Sequence, residues 1–101
     1  MLIDALLMAK PHEVSSRAES LAATGIDGIF TFEGPHDVFL PLILAADTGC
    51  HLYTNVAIAF PRSPMHLAYT AWDLAELSDG RFSLGLGTQI KAHVERRYGS
   101  T

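Results

Sequence analysis

The sequence predicts an α/β protein in which parallel strands are joined by helical crossovers, and three observations support this. Short apolar segments alternate with amphipathic helical segments along the whole chain. Each of three helical segments ends at a glycine, Gly25, Gly49 or Gly80, and an apolar run begins just after it. The apolar runs are brief and nearly continuous, which is typical of parallel strands covered by helices.

The first unit pairs a strand with a helix. Residues 2–8 are predicted as the first strand, because they are apolar and precede a polar loop that contains proline. Residues 14–24 are predicted as a helix, because their apolar side chains recur on one face. Residues 28–32 are then the second strand.

The second helix is predicted over residues 38–47, with Asp37 as its N-cap. Pro41 is compatible with a helix there because it falls in the first turn, where the missing N–H has no helical partner. Residues 51–57 are predicted as the third strand, which runs on towards residue 60.

The third helix has a clear start. Ser63 is suited to the N-cap and Pro64 to the first helical position, so the helix is predicted over 65–78. The fourth strand is predicted over 82–86 as a segment buried on both faces, and residues 91–98 begin a fourth helix.

Two glycines, Gly85 and Gly87, lie at the end of the fourth strand. Gly85 and Gly87 remove side chains where the strand ends, which favours close approach of another group to the backbone. Two architectures fit the alternation, a doubly wound sheet and a (β/α)8 (TIM) barrel. A doubly wound sheet calls for a glycine-rich first turn, whereas residues 9–12 read Ala-Lys-Pro-His, so the barrel is favoured.

Length limits that barrel. A complete (β/α)8 barrel takes about 250 residues, and this chain has 101. The chain is therefore predicted as one domain over residues 1–101, the N-terminal half of such a barrel with four βα units. Two copies that associate to complete a core remain the alternative.

Composition narrows the class of protein. The net charge of −4 argues against nucleic-acid binding. The single cysteine, Cys50, excludes an internal disulfide and indicates a reducing, cytoplasmic location. Residues 1–8 are too short for a membrane span and lack the basic start of a signal peptide. No metal site is expected, because the histidines and carboxylates lack ligand spacing.

Ionisable residues gather in the loops after the strands, which carry function in barrels. Glu33 and His36 flank a Gly-Pro turn after the second strand, so they are the candidates for catalysis, with ordinary surface-loop residues as the alternative. Arg62 either bonds neighbouring carbonyls or holds a phosphate. The other polar residues assigned to this rim are Lys10, His12, Asp37, Thr88, Gln89, His93 and Arg97.

Two runs point to a known family: residues 53–68, YTNVAIAFPRSPMHLA, and residues 77–87, LSDGRFSLGLG. The chain resembles the luciferase-like monooxygenase superfamily of (β/α)8 barrels, which use FMN or the deazaflavin coenzyme F-420. The resemblance covers nearly the whole chain but only the N-terminal part of a family member. Residues 87–98, GTQIKAHVERRY, are most similar to a subgroup labelled probable F-420-dependent oxidoreductases.

The resemblance implies an oxidoreductase that transfers hydride between F-420 and a small organic substrate. The alternatives are an FMN-dependent monooxygenase acting on paired donors with O2, and an inactive fragment that acts only in assembly. A homodimer is the expected oligomer. The chain alone is expected to be inactive, because phosphate-binding loops in such barrels come mainly from the last strands.

The resemblance also implies roles for individual residues. Cofactor contacts are expected at Ala57, Ile58 and Ala59, with a non-prolyl cis peptide in that segment, and at Gly87, Thr88 and Gln89. Glu33 matches the glutamate of a Glu-His-His motif after the second strand. The histidine is displaced to His36, a candidate proton donor or substrate contact. Ile90 stands where many F-420 members have glutamate.

Overall fold

The structure, a computed structural model, describes residues 2–59 and 61–87. Strands and helices alternate through these residues as the sequence predicts. The strands are β1 (Asp4–Leu6), β2 (Gly28–Thr31), β3 (His51–Thr54), β4 (Ala57–Ile58), β5 (Phe82–Ser83) and β6 (Leu86–Gly87). The helices are α1 (Val14–Ala23), α2 (Leu40–Leu44) and α3 (Pro64–Leu77), with short 3-10 turns at Pro11–Glu13 and Ala46–Thr48.

All the strand pairs within the described ranges are parallel. The main sheet has the order β1-β2-β3-β5, and β4 pairs with β6 in a second, two-stranded sheet. The four strands of the main sheet follow one another in chain order, and a helix connects each parallel pair: α1, α2 and α3 in turn. The predicted α/β class with parallel strands is confirmed.

The core lies between the main sheet and the helices. In register across the sheet, Ile29 and Leu52 point towards the helices and are buried against Val14, Leu42 and Leu74. The opposite face carries larger, partly exposed side chains: Leu6, Phe30 and Tyr53. The main sheet is thus covered on one face by the described part of the chain.

Two predicted strands are broken in the middle, and one side chain explains both breaks. Thr54 at the end of β3 turns its hydroxyl across to Gly85, between β5 and β6. The hydroxyl donates to the Gly85 carbonyl at 2.7 Å and accepts from the Gly85 N–H at 2.9 Å. The Gly85 carbonyl also accepts from the Ala57 N–H at 2.9 Å, so the backbone ladder between β3 and β5 stops at this side-chain contact and restarts as β4–β6. The predictions of continuous strands over 51–57 and 82–86 were wrong.

The fourth-strand segment is also more exposed than predicted. Ser83 and Leu86 are both exposed, so burial on both faces is wrong for this segment. The first strand is shorter than the predicted residues 2–8. The second helix, predicted over 38–47, stops at Leu44 because the backbone leaves helical geometry at Ala45 and resumes as a 3-10 turn.

The helix boundaries follow the predicted capping residues. The three turn glycines have φ between 83° and 86°, the left-handed conformation that a glycine cap requires. The Ser63 hydroxyl accepts from the N–H groups of Met65 and His66. Asp37 Oδ2 accepts from the N–H groups of Phe39 and Leu40 and so caps the turn that leads into α2, but α2 begins at Leu40 and its N-cap position is Phe39, not the predicted Asp37.

None of the helices in residues 2–59 and 61–87 has the length and apolar content that a bilayer crossing needs. The fourth helix predicted over 91–98 lies outside the described residues.

Candidate functional site

The β4–β6 pair brings together two segments that the sequence predicted as cofactor contacts. Ala57 lies opposite Leu86 and Ile58 opposite Gly87. The Ala59 N–H donates to the Gly87 carbonyl at 3.0 Å, which extends the pairing by one residue. Segments about 30 positions apart in the chain therefore form one continuous wall beyond the carboxyl ends of β3 and β5. Thr88 and Gln89, the other predicted contacts, lie outside the described residues.

The non-prolyl cis peptide lies at a different bond from the predicted one. It joins Asn55 and Val56, so its placement within residues 57–59 was wrong. Ala57 and Ile58 belong to a regular parallel ladder, whereas Asn55 and Val56 form the two-residue break between β3 and β4.

The surface of the wall is apolar, but its exposed side chains are not the predicted ones. Ala57 and Ile58 are buried, whereas Val56 is 37% exposed and Leu86 48% exposed. A Cβ added at Gly87 would lie 2.5 Å from Val56 Cγ2, so β6 passes directly against Val56. The sequence analysis did not predict Val56 as part of this surface. Its only signal there was an apolar residue next to the segment predicted to contact the cofactor.

Glu33 lies along the edge of β4 that faces away from β6. Its Oε1 accepts from the Ile58 N–H at 3.0 Å, and its Oε2 accepts from Arg62 Nη2 at 3.0 Å. Arg62 Nη1 also donates to Glu33 Oε1 and, at 2.7 Å, to the Ile58 carbonyl. The Glu33 side chain is only 8% exposed and that of Arg62 20%. The pair therefore holds both backbone polar groups of Ile58.

The Arg62 guanidinium also lies over the Phe39 ring, 5.3 Å from its centroid. Of the two roles predicted for Arg62, bonding to a neighbouring carbonyl is confirmed at Ile58. Both carboxylate oxygens of Glu33 accept hydrogen bonds from Arg62 or Ile58. The catalytic role predicted for Glu33 stays a prediction.

His36 occupies a different place from Glu33. It is exposed and lines a small cavity of about 20 Å³ between the ends of β1 and β2, together with Met8, Phe32 and Asp37. The two residues predicted for catalysis thus have different surroundings: Glu33 pairs with Arg62, whereas His36 lines the cavity at the rim. Lys10 and His12 are at the rim too, and His12 is an exposed loop histidine 3.5 Å from Glu13.

A further polar pair lies on the uncovered face of the sheet. The Tyr53 hydroxyl donates to Asp4 Oδ2 at 2.7 Å, across the intervening strand β2. The contact passes over Gly28, where an added Cβ would lie 2.5 Å from Asp4 Oδ1. The sequence analysis did not single out Asp4, although an acidic residue inside an apolar strand was an available signal.

Partial burial, and then the hydrogen bond and charge of Asp4, raise the pKa of Tyr53 to about 12 from the usual 10.0. Below pH 10 the phenol is protonated in both the folded and unfolded chain. Between pH 10 and 12 the unfolded chain loses this proton first, so we expect the free energy of unfolding to fall as the pH rises through that window.

Tyrosinate absorbance measured against Tyr53→Phe checks this pKa. Asp4→Asn removes the charge and should move the Tyr53 transition down towards pH 10. A Tyr53 transition near pH 10 in the unmodified chain would contradict the expectation.

The remaining polar residues have local partners. His51 Nε2 lies 3.0 Å from Ser83 Oγ, a contact between β3 and β5. Cys50 is buried, with its thiol 3.9 Å from the Ile26 carbonyl. Across the described ranges, no three His, Cys, Asp or Glu side chains are grouped as a metal ion would require.

Comparison with known proteins places this geometry in a family. A family model described as luciferase-like monooxygenase matches residues 4–101. The uncharacterized proteins Rv1360 of Mycobacterium tuberculosis and Mb1395 of Mycobacterium bovis are each 46% identical to the chain over 93 residues. That match covers 87% of this chain and 27% of each relative, so the chain spans about a quarter of their length.

Solved structures share the fold at low sequence identity. The FMN-complexed oxygenating constituent of 3,6-diketocamphane monooxygenase from Pseudomonas putida has a TM-score of 0.78 at 16% identity, over 98% of this chain and 32% of its own. The F-420-dependent tetrahydromethanopterin reductase from Methanopyrus kandleri has a TM-score of 0.73 at 22% identity, over 93% of this chain and 28% of its own. With the fold and the match to residues 4–101 in agreement, the chain belongs to the luciferase-like monooxygenase family.

Proposed function

We propose that this chain is the N-terminal part of a luciferase-like oxidoreductase and that its β4–β6 wall lies against the ring of F-420 or FMN. The observation that carries the proposal is the pairing of Ala57–Ile58 with Leu86–Gly87 beyond the carboxyl ends of β3 and β5. That edge of a parallel α/β fold is where ligands bind, because the strand-end loops converge there.

The wall fits the ring part of such a cofactor. Val56 and Leu86 offer exposed apolar side chains, and Val56 fills the space that a side chain at Gly87 would need. Arg62, the cation next to the wall, is committed to Glu33 and Ile58. The phosphate-bearing arm of the cofactor is therefore assigned to parts of a longer protein, in keeping with the late-strand phosphate sites of barrels.

Hydride transfer between F-420 and a small organic molecule is the reaction we propose first, and FMN-dependent monooxygenation is its alternative. The cofactor supplies the redox chemistry; this chain supplies position and electrostatics. We assign His36 to the substrate side as a proton donor or substrate contact, because it is exposed beside the cavity at the β1–β2 rim. We also propose a cytoplasmic location, which the single, buried and free Cys50 supports.

An NMR titration of the 15N-labelled 101-residue chain with FMN or F-420 tests the proposal. The measured quantity is the chemical-shift change of each backbone amide. We expect weak, saturable binding with shifts centred on Val56, Leu86 and Gly87, because the proposal gives the described residues contact with the ring and not with the phosphate arm. Val56→Ser should weaken the response, whereas Leu44→Ser, an equally exposed apolar position on α2, should leave it unchanged. Shifts centred elsewhere, or none with either cofactor, would count against the site.

The second candidate is a non-catalytic assembly module, and the outer surface of α3 favours it. Met65, Tyr69 and Trp72 recur at helical spacing and are 65%, 63% and 68% exposed. We propose that this surface supports a homodimer in either case. Concentration-dependent sedimentation together with a complete lack of cofactor response would favour the assembly module over the oxidoreductase.

A further inference from the structure

The two edges of β4 have different partners. Towards β6, the N–H groups of Ala57 and Ala59 donate to the carbonyls of Gly85 and Gly87, at 2.9 Å and 3.0 Å. Between them, the N–H and the carbonyl of Ile58 point to the opposite edge, as alternation along a strand requires. Both of these groups are taken by side chains, the N–H by Glu33 and the carbonyl by Arg62.

The side-chain pair thus occupies the position of a neighbouring strand. A parallel neighbour would offer one acceptor and one donor to Ile58, and Glu33 and Arg62 offer the same two groups from the loops after β2 and β4. The two-point contact between guanidinium and carboxylate fixes their mutual orientation. The Phe39 ring next to α2 lies against the guanidinium and restricts its movement.

We propose that Glu33 and Arg62 are positioning residues: they hold the Ile58 backbone, and through it the β4–β6 wall, in the place where a cofactor ring binds. This rests on the proposed function for the location of the ring. It replaces the reacting role that the sequence predicted for Glu33 with an indirect one, since both oxygens of the carboxylate already accept hydrogen bonds.

Conservative substitutions separate this role from simple support of the fold. Glu33→Gln keeps an acceptor for the Ile58 N–H but replaces the second oxygen with an amide that cannot accept from Arg62. Arg62→Lys keeps the charge but loses the planar fork that reaches Glu33 and the Ile58 carbonyl together. Glu76→Gln is the matched control, because Glu76 accepts from Trp72 Nε1 on the exposed side of α3.

The experiment measures hydrogen exchange at individual amides and cofactor affinity in the same variants. In both Glu33→Gln and Arg62→Lys, the Ile58 amide should exchange about tenfold faster, because its acceptor loses either its charge or the guanidinium that orients it. The Ala59 amide, bonded to Gly87, should change much less. The affinity for FMN or F-420 should fall about tenfold while the urea midpoint shows that the chain stays folded, and Glu76→Gln should leave all three quantities unchanged.

Combining the two substitutions adds a second criterion. The double variant Glu33→Gln/Arg62→Lys should exchange the Ile58 amide little faster than either single variant, because one contact is lost only once. Additive effects, unchanged Ile58 exchange, or faster exchange with unaltered cofactor affinity would each overturn the proposal. If neither cofactor binds the unmodified chain, the proposed function fails and the cofactor role with it, while Ile58 exchange alone still decides whether the pair holds β4.

Discussion

Gly85→Ala is expected to lower the free energy of unfolding by roughly 2–3 kcal/mol, the cost of forcing an extra carbon into a packed site. A Cβ at this position would lie 2.2 Å from the Thr54 carbonyl oxygen and 3.4 Å from the carbonyl carbon. The obstacle is backbone, which cannot rotate aside as a side chain does. Gly85 cannot retreat either, because the Thr54 hydroxyl holds both its N–H and its carbonyl.

Urea denaturation measures this loss, and Gly34→Ala is the matched control. A Cβ at Gly34 would lie 2.6 Å from Phe32 Cε2, at the edge of a ring that is 37% exposed and free to turn. We therefore expect a clearly smaller loss at position 34. Amide resonances of β4 and β6 should move in Gly85→Ala, because Ala57 donates to the Gly85 carbonyl. Equal losses at the two positions would refute the backbone explanation.

Arg62→Met is expected to cost about 3 kcal/mol of stability, the lower end of the range for breaking a buried ion pair. Methionine fills much of the same volume against Phe39, so the loss reports on the guanidinium contacts with Glu33 and the Ile58 carbonyl more than on packing. It leaves the Glu33 carboxylate, which is 8% exposed, without the partner of its Oε2. The lower end applies because the Arg62 side chain is itself 20% exposed and the site is not fully dry.

A second substitution shows whether the uncompensated charge causes the loss. Adding Glu33→Gln to Arg62→Met removes that charge while an acceptor for the Ile58 N–H remains, so part of the lost stability should return. Arg17→Met, on the exposed side of α1, is the control for removing an arginine. The explanation fails if Arg62→Met costs no more than Arg17→Met, or if Glu33→Gln makes the double variant weaker still.

The features that the sequence predicted depend on interactions between close neighbours in the chain. A glycine cap, the Ser63 N-cap and the Asp37 cap are each set within three or four residues, so their residue types are sufficient evidence. The order of parallel strands follows from the short crossovers between them. The fold class could therefore be predicted from local patterns, whereas the exact strand ends could not, because they depend on contacts between distant residues.

The features that the sequence could not predict depend on pairs distant in the chain. The strand breaks arise from Thr54 reaching Gly85, 31 residues later, and Glu33 meets Arg62 29 residues later. Residue types showed that Glu33 is a carboxylate at a strand end. They could not show that Arg62 pairs with it there, and the proposed positioning role of Glu33 depends on this pairing.

The lack of a side chain at Gly28 also helps to specify the register of β2 in the sheet. The Asp4 carboxylate crosses β2 to reach Tyr53 only where β2 presents a hydrogen atom instead of a Cβ. If β2 slipped by one residue, the side chain of Asp27 or Ile29 would block that crossing, and the buried face of the strand would turn outward. A misaligned sheet therefore loses the Asp4–Tyr53 hydrogen bond as well as its core. The bond between β1 and β3 thus helps to fix the register of β2, the strand between them.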